Sequence, residues 1–331
     1  MTPQTNLDRG KSPDESCPLV TVALCTYFRP EKLDGCLESL IRQDTKVPYE
    51  IVVVDNDANG SARTTVEDRA AMAADRGIVL TYHIEPEQSI SLARNRAIAA
   101  ARGDWVALID DDEVADPGWL DALVRCARAE DADGVWGPVV KTFPEKFPRW
   151  LQASKYFFRP QRVGLEGELH EELASNNAVL RREMLQSRPG PFDPKYGRIG
   201  GSDTELFEWL DHHGFRFFAC PDAIVREEQP LSRASLRWMM RRGYRVGFVQ
   251  SSIHVQHRGC VQGVAWVLRA LVGDLVRVPI MMVQHIWRPR LLIWLLPRHL
   301  ARQAGRIGYF LSVRIIEYRN RVKTQSPSGT N

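Results

Sequence analysis

The chain is 331 residues long, 44% hydrophobic and 26% charged, which are the proportions of an ordinary globular protein able to form a sizeable core. Six scattered cysteines without a Cys-x-x-Cys pair exclude a legible zinc or disulfide framework and read as small buried side chains. The net charge of +3 conceals a split: residues 231–331 hold sixteen Arg and one Lys against Asp274 and Glu317, a charge of +15, which leaves −12 on residues 1–230. So uneven a distribution implies two different environments for one chain.

Residues 1–16 are polar, contain two Pro and read as a flexible tail. They hold no apolar segment of the signal-peptide kind, so a cytoplasmic location with reduced thiols is expected. Four short apolar runs follow at roughly thirty-residue spacing: Leu19 to Cys25, Ile51 to Val54, Ile78 to Tyr82 and Trp105 to Ile109. Each is too short for a buried helix and rich in β-branched residues, the pattern of central strands. Helices are predicted between them over 30–44, 61–76 and 90–102, the first opened by Pro30 and the others ended by Gly77 and Gly103. Strand–helix alternation predicts a mostly parallel α/β sheet, whose ligands bind beyond the carboxyl ends of the strands.

Two of those strand ends are acidic. Val54 is followed by Asp55-Asn56-Asp57, and Ile109 by Asp110-Asp111-Asp112-Glu113. Adjacent carboxylates repel one another unless cations or fixed donors compensate them, and a hard divalent cation shares carboxylate oxygens with phosphate oxygens. The competing reading is the acidic start of a helix. Asp116-Pro117 supplies a separate helix start, with Asp116 as N-cap, which favours the metal site. Beyond residue 135 the pattern loosens, then a helix is predicted over 202–213 and a strand over 215–219. From Leu231 onward the chain is Arg-rich, Trp-rich and helical in pattern, with Pro279, Pro289 and Pro297 as breaks.

The motifs resemble those of family 2 glycosyltransferases of the GT-A fold. Thr21 to Pro30, Glu50 to Asn56, Ser91 to Asn95, Leu108 to Glu113 with Asp116 to Leu120, and Gly200 to Phe207 match the family's segments in order. Within the family, bacterial exopolysaccharide glucosyltransferases of the succinoglycan type are nearest. The resemblance implies an inverting enzyme that uses Mg²⁺ or Mn²⁺, a nucleotide-sugar donor and a hydroxyl acceptor. It places Thr26, Arg29, Asp55, Arg94, Asp110 and Asp111 at the nucleotide-sugar, Asp112 with Asp110 at the metal, and the catalytic base at Asp203. Asn177, Trp209, Arg237 and Trp238 fall on its acceptor side. This sequence has Ser202 where the family has Glu, and Glu227-Glu228 where relatives often have His. Ser202 and Glu205 also have capping-box spacing, so a plain helix start competes with the base.

The expected organisation is a GT-A domain over 17–250, a basic amphipathic helical region over 251–323, and a tail over 324–331. The basic region has no uncharged apolar stretch long enough to span a bilayer. Arginines beside Trp, Leu and Ile fit helices lying at the inner face of the cytoplasmic membrane, which points to a lipid-linked saccharide as acceptor. An oligomer interface is the second reading; the segment is too apolar for nucleic acid. A sugar-phosphate nucleotidyltransferase would need a Gly-rich loop after the first strand, where Thr26 to Pro30 has no Gly. A non-catalytic membrane scaffold would leave the acidic cluster without a role.

Overall fold

A computed structural model describes residues 19–154, 157 and 175–313; both tails fall outside the described residues. The first half alternates as expected: β1 (Val20–Thr26), α1 (Pro30–Ile41), β2 (Tyr49–Asp55), α2 (Arg63–Asp75), β3 (Val79–Ile84), α3 (Ile90–Ala100) and β4 (Trp105–Asp110). Then come β5 (Glu113–Ala115), α4 (Trp119–Ala129), β6 (Gly134–Trp136), β7 (Val139–Thr142), α5 (Arg149–Gln152), β8 (Ala178–Arg181), α6 (Arg182–Gln186), α7 (Ser202–His212), β9 (Phe217–Ala219) and β10 (Val225–Glu228). Three long helices close the described chain: α8 (Leu236–Arg258), α9 (Cys260–Gln284) and α10 (Pro289–Phe310).

Seven strands form the main sheet in the order β3-β2-β1-β4-β8-β6-β9. β1 to β4 are mutually parallel, and β8 runs antiparallel to β4 and β6. The apolar runs are continuous because both faces are buried. On β1, Val22 and Leu24 point into a core shared with Leu37, Trp119 and Leu123, while Ala23 points into one shared with Ala97, Leu180 and Leu206. A smaller sheet, β5-β10-β7, lies beyond the end of β4.

Several local predictions change. Gly77, with φ of +71°, follows α2 as expected. Gly103 instead permits a close approach: a Cβ there would lie 2.5 Å from the Thr21 nitrogen. Its N–H and that of Arg102 both donate to Thr21 Oγ1, whose hydroxyl donates to buried Glu50. Asp116 does not cap α4, which starts after Gly118; its carboxylate accepts two bonds from Arg226 at 2.9 and 2.8 Å. Ser202 is the first residue of α7 rather than its cap, a place taken by Gly201 at φ +94°. Pro289 opens α10, but Pro279 and Pro297 lie inside helices, each forgoing one backbone hydrogen bond.

Candidate active site

β1 and β4 end side by side, Cys25 opposite Asp110, so the first loop and the acidic run share one rim. The Thr26 hydroxyl donates to Asp111 at 2.8 Å, and Arg29 Nη1 donates to Asp111 and Asp112 at 3.0 and 3.2 Å. Glu113 is fully buried; it accepts from the Asp110 N–H at 3.1 Å and from Asn176 Nδ2 at 2.7 Å. Burial, reinforced by the charge of Asp110, pushes its carboxyl well above the usual range. The four carboxylates therefore divide: Asp111 and Glu113 hold the turn together, Asp112 shares Arg29 with Asp111 and keeps one oxygen uncommitted, and Asp110 is the most open of the four.

Asp110 opens into a recess lined by Cys25, Ala97, Arg94 and Ser175, with 45% of its side-chain surface exposed. Enclosure by protein, and then the neighbouring Asp112 and Asp111, raise its carboxyl to about 6 despite the opposing charge of Arg94. A carboxylate disfavoured in this way is a site that gains from a cation.

Beside it, β2 ends in Asp55, which is fully buried. One oxygen accepts from the Asp57 N–H at 3.0 Å; the other accepts from the Ala62 N–H at 2.7 Å and the Tyr82 hydroxyl at 2.9 Å. Asp55 thus organises the loop over 56–62. Tyr82 was not singled out from the sequence. The β2–β3 register, with Tyr82 opposite Val53, is what brings it to Asp55, and no sequence spacing announces that pairing. Asn56 extends the scaffold, donating to the carbonyls of Glu85 and Glu87 and accepting from the Ser89 N–H.

The second half of the site comes from α7. Gly200 and Gly201 have φ of +81° and +94°, a left-handed pair that side chains rarely adopt. α8 packs directly on them: a Cβ on Gly200 would lie 2.2 Å from Arg245 Nη1, and one on Gly201 2.3 Å from Val249 Cγ1. Asp203 follows in the first helical turn, partly exposed, and accepts from the Thr204 N–H at 2.9 Å. Glu205 is buried and faces the other way, 3.1 Å from Arg188 and 3.2 Å from His257. Arg94 joins the two halves, with Nη2 3.6 Å from Asp110 and Nη1 donating to Ser202 Oγ at 3.4 Å.

The remaining expected residues lie elsewhere. Asn177 is fully enclosed at φ +54°; it accepts from Trp119 Nε1 at 2.6 Å and donates to the carbonyls of Pro138 and Ala223. Trp209 stacks on His213 at 3.8 Å, with Arg188 on its ring. Arg237 is exposed, and Trp238 joins an aromatic cluster with Phe147, Trp150 and Trp294, flanked by Arg233 and Arg242. Glu227, at the position where His was expected, is ion-paired to Lys141 and Arg233. Burial opposes its ionisation, but the two cations outweigh burial and lower its pKa.

The family model described as Glycosyl transferase family 2 matches residues 21–188, half of the chain. A succinoglycan biosynthesis protein, ExoM, of Rhizobium meliloti is 35% identical over 231 residues, covering 69% of this chain and 72% of that protein. The chain belongs to glycosyl transferase family 2. A glucosyl-dolichyl phosphate glucuronosyltransferase of Haloferax volcanii is 27% identical over 245 residues, 69% of this chain and 75% of its own. Among solved structures, a Pyrobaculum calidifontis mannosyltransferase in complex with GDP-Man and Mn²⁺ shares the fold, with a TM-score of 0.55 at 18% identity over 91% of this chain and 90% of that one. The GT-A architecture and glycosyltransferase activity follow from this membership.

Among the described residues, no three His, Cys, Asp or Glu side chains converge as a ligand set. Mg²⁺ and Mn²⁺ do not require one in such an enzyme: one or two carboxylates suffice where substrate phosphates and water complete the shell. Asp110 and Asp112 supply hard oxygen donors of that kind and so fit the group, Asp112 through the oxygen that Arg29 leaves uncommitted, whereas both oxygens of Asp111 are taken by Thr26 and Arg29.

Proposed function

We propose that this glycosyltransferase moves a sugar from a nucleotide-sugar, foremost a uridine diphosphate sugar, to a hydroxyl of a lipid-linked saccharide in exopolysaccharide or lipopolysaccharide synthesis. The observation that carries the reading is the meeting of the acidic run with the turn that bears Asp203, bridged by Arg94, which reaches both Asp110 and Ser202. The names of two relatives, one in succinoglycan biosynthesis and one acting on a dolichyl phosphate glucoside, support the product and acceptor classes.

In this reading the loops built by Asp55 and Thr26 receive the nucleoside, and Arg94 faces the diphosphate. Asp110 and Asp112 would hold Mg²⁺ or Mn²⁺, and the ion would supply charge neutralisation of the leaving diphosphate. Asp203 accepts the proton of the acceptor hydroxyl. The freed oxygen bonds to the anomeric carbon from the face opposite the diphosphate, whose bond to carbon breaks with its electron pair leaving on phosphate oxygen. Asp203 lies in the first turn of α7 and would serve a hydroxyl that loses its proton late, as the bond to the diphosphate breaks. The acceptor's lipid calls for a protein at the inner face of the cytoplasmic membrane, and the domain bounds are 17–250 for catalysis and 251–323 for membrane association. Asp112→Asn is expected to lower Mn²⁺-dependent transfer from UDP-sugars by about a hundredfold or more; unchanged transfer removes the metal assignment. A panel of UDP-, dTDP- and GDP-sugars identifies the donor.

A further inference from the structure

α9 is inside out relative to a helix in water. Of its 25 residues only Gly263, Val267 and Asp274 are buried, and Asp274 is the one acid among residues 229–313. Asp274 Oδ2 lies 2.9 Å from His299 Nε2 and accepts from Gln303 Nε2, both on α10. Gln303 in turn accepts from Arg306 Nη1 at 2.9 Å, and Arg306 lies over the Trp266 ring at 4.6 Å. The contact of α9 with α10 is therefore centred on polar groups. The outer face of α9 is apolar: Val261, Val264, Leu268, Val272, Leu275 and Val283 are all exposed, Leu275 by 75%. At 100° per residue they form one stripe over roughly a third of the circumference, with Asp274 about 130° away from its centre. At the turn into α10, Trp287 is 91% exposed.

We propose that this face docks on the headgroup–acyl boundary of an anionic lipid bilayer. The proposal deepens the reading that the acceptor is membrane-borne and depends on that reading only for its purpose. Three observations select the occupant. A helix that turns its only carboxylate inward and its aliphatic side chains outward suits a lipid surround, where ionisable groups pair within the protein. The exposed charges along and after α9 are Arg269, Arg277, Arg288 and Arg290, with no exposed acid on α9 or α10, which complements anionic headgroups. A second copy fits poorly, because a two-fold contact through this face would bring arginines together without a counter-charge. None of the described helices is long and apolar enough to cross a membrane, so α9 lies in the interface, with Trp287 at the level such side chains favour.

The test uses the full chain without donor or acceptor, so that its outcome is separate from that of the catalytic reading. Co-sedimentation with vesicles of phosphatidylglycerol and phosphatidylcholine is compared with phosphatidylcholine alone. Wild type is expected to partition at least about tenfold better onto the anionic vesicles, with the preference reduced by salt. The triple change Val272→Glu, Leu275→Glu, Val283→Glu is expected to lose at least about tenfold in partitioning, with an unaltered unfolding midpoint because all three side chains are exposed. Arg269→Gln with Arg277→Gln is expected to lose only the anionic preference. Undiminished binding by the triple variant, or no vesicle binding by wild type, overturns the proposal. So does a wild-type dimer in solution that the triple variant renders monomeric, which would assign the face to a second copy.

Discussion

Asp203 and Asn177 show how differently two polar residues near one cleft are held. Asp203 has its carboxylate at the mouth of α7 and takes only the adjacent Thr204 N–H among the described residues, leaving acceptor capacity for a substrate proton. Asp203→Asn is expected to lower kcat by about a thousandfold while calorimetry finds UDP binding with Mn²⁺ unchanged; full activity would reduce Asp203 to a helix-start residue. Asn177 spends every hydrogen-bonding group of its amide within the core. Asn177→Ala strands the Trp119 N–H and the Ala223 carbonyl, while the Pro138 carbonyl keeps the Val225 N–H at 3.1 Å, and is expected to cost about 3 kcal/mol of stability, measured by denaturant titration. The acceptor KM of the folded fraction should stay unchanged, and a raised KM with intact stability would return Asn177 to the acceptor site.

At the scale of elements, the decisive contact is α8 against α10. Glycines make it close: a Cβ on Gly247 would lie 1.9 Å from the Arg302 carbonyl oxygen, and one on Gly305 1.9 Å from that of Tyr244. The opposite side of α8 carries Arg245 and Val249 onto the Gly200-Gly201 turn, so one helix supports both the turn before Asp203 and the hairpin formed by α9 and α10. Gly247→Val is expected to force the pair apart at a cost of about 2–3 kcal/mol. Hydrogen exchange should then rise in α10 while β1 and β4 remain protected; uniform loss of protection would mean that the hairpin and the sheet unfold as one unit.

Over the whole molecule, the alkaline limit of stability follows from buried weak acids. Burial pushes the Cys126 thiol and the Tyr49 hydroxyl up to about 12 from ordinary values of 9.0 and 10.0. Each folded-state pKa is raised, so each contribution is complete below the unfolded value and is lost as pH rises through the folded one. The unfolding midpoint is therefore expected to fall progressively between pH 9 and 12, and Tyr49→Phe should flatten the upper part of that decline. The same fold separates charge by region, with acids along the strand ends and arginines on the terminal helices, so that the proposed donor site and the proposed membrane face carry opposite signs.

Periodicity is a local property, and what depends on it was present in the sequence: β1 to β4, the helices between them, the rim bearing Asp55 and Asp110, and the helical character of the basic end. The short strands β6, β8 and β10 escaped, because three or four residues hold too little pattern and their partners are distant in the chain. The sorting of the acidic run was likewise decided only by tertiary contacts. Asp111 and Asp112 differ by one position and share Arg29, yet Thr26 takes the second oxygen of Asp111 alone, and Asn176 takes Glu113. Asp116 looked like a helix cap until Arg226, 110 positions later, claimed it. Gly103 looked like a helix stop until the backbone of Thr21 closed over it. A carboxylate or a glycine states what it can do; which partner reaches it first is settled by packing, since burial makes each unmet polar group costly and each vacant ångström useful.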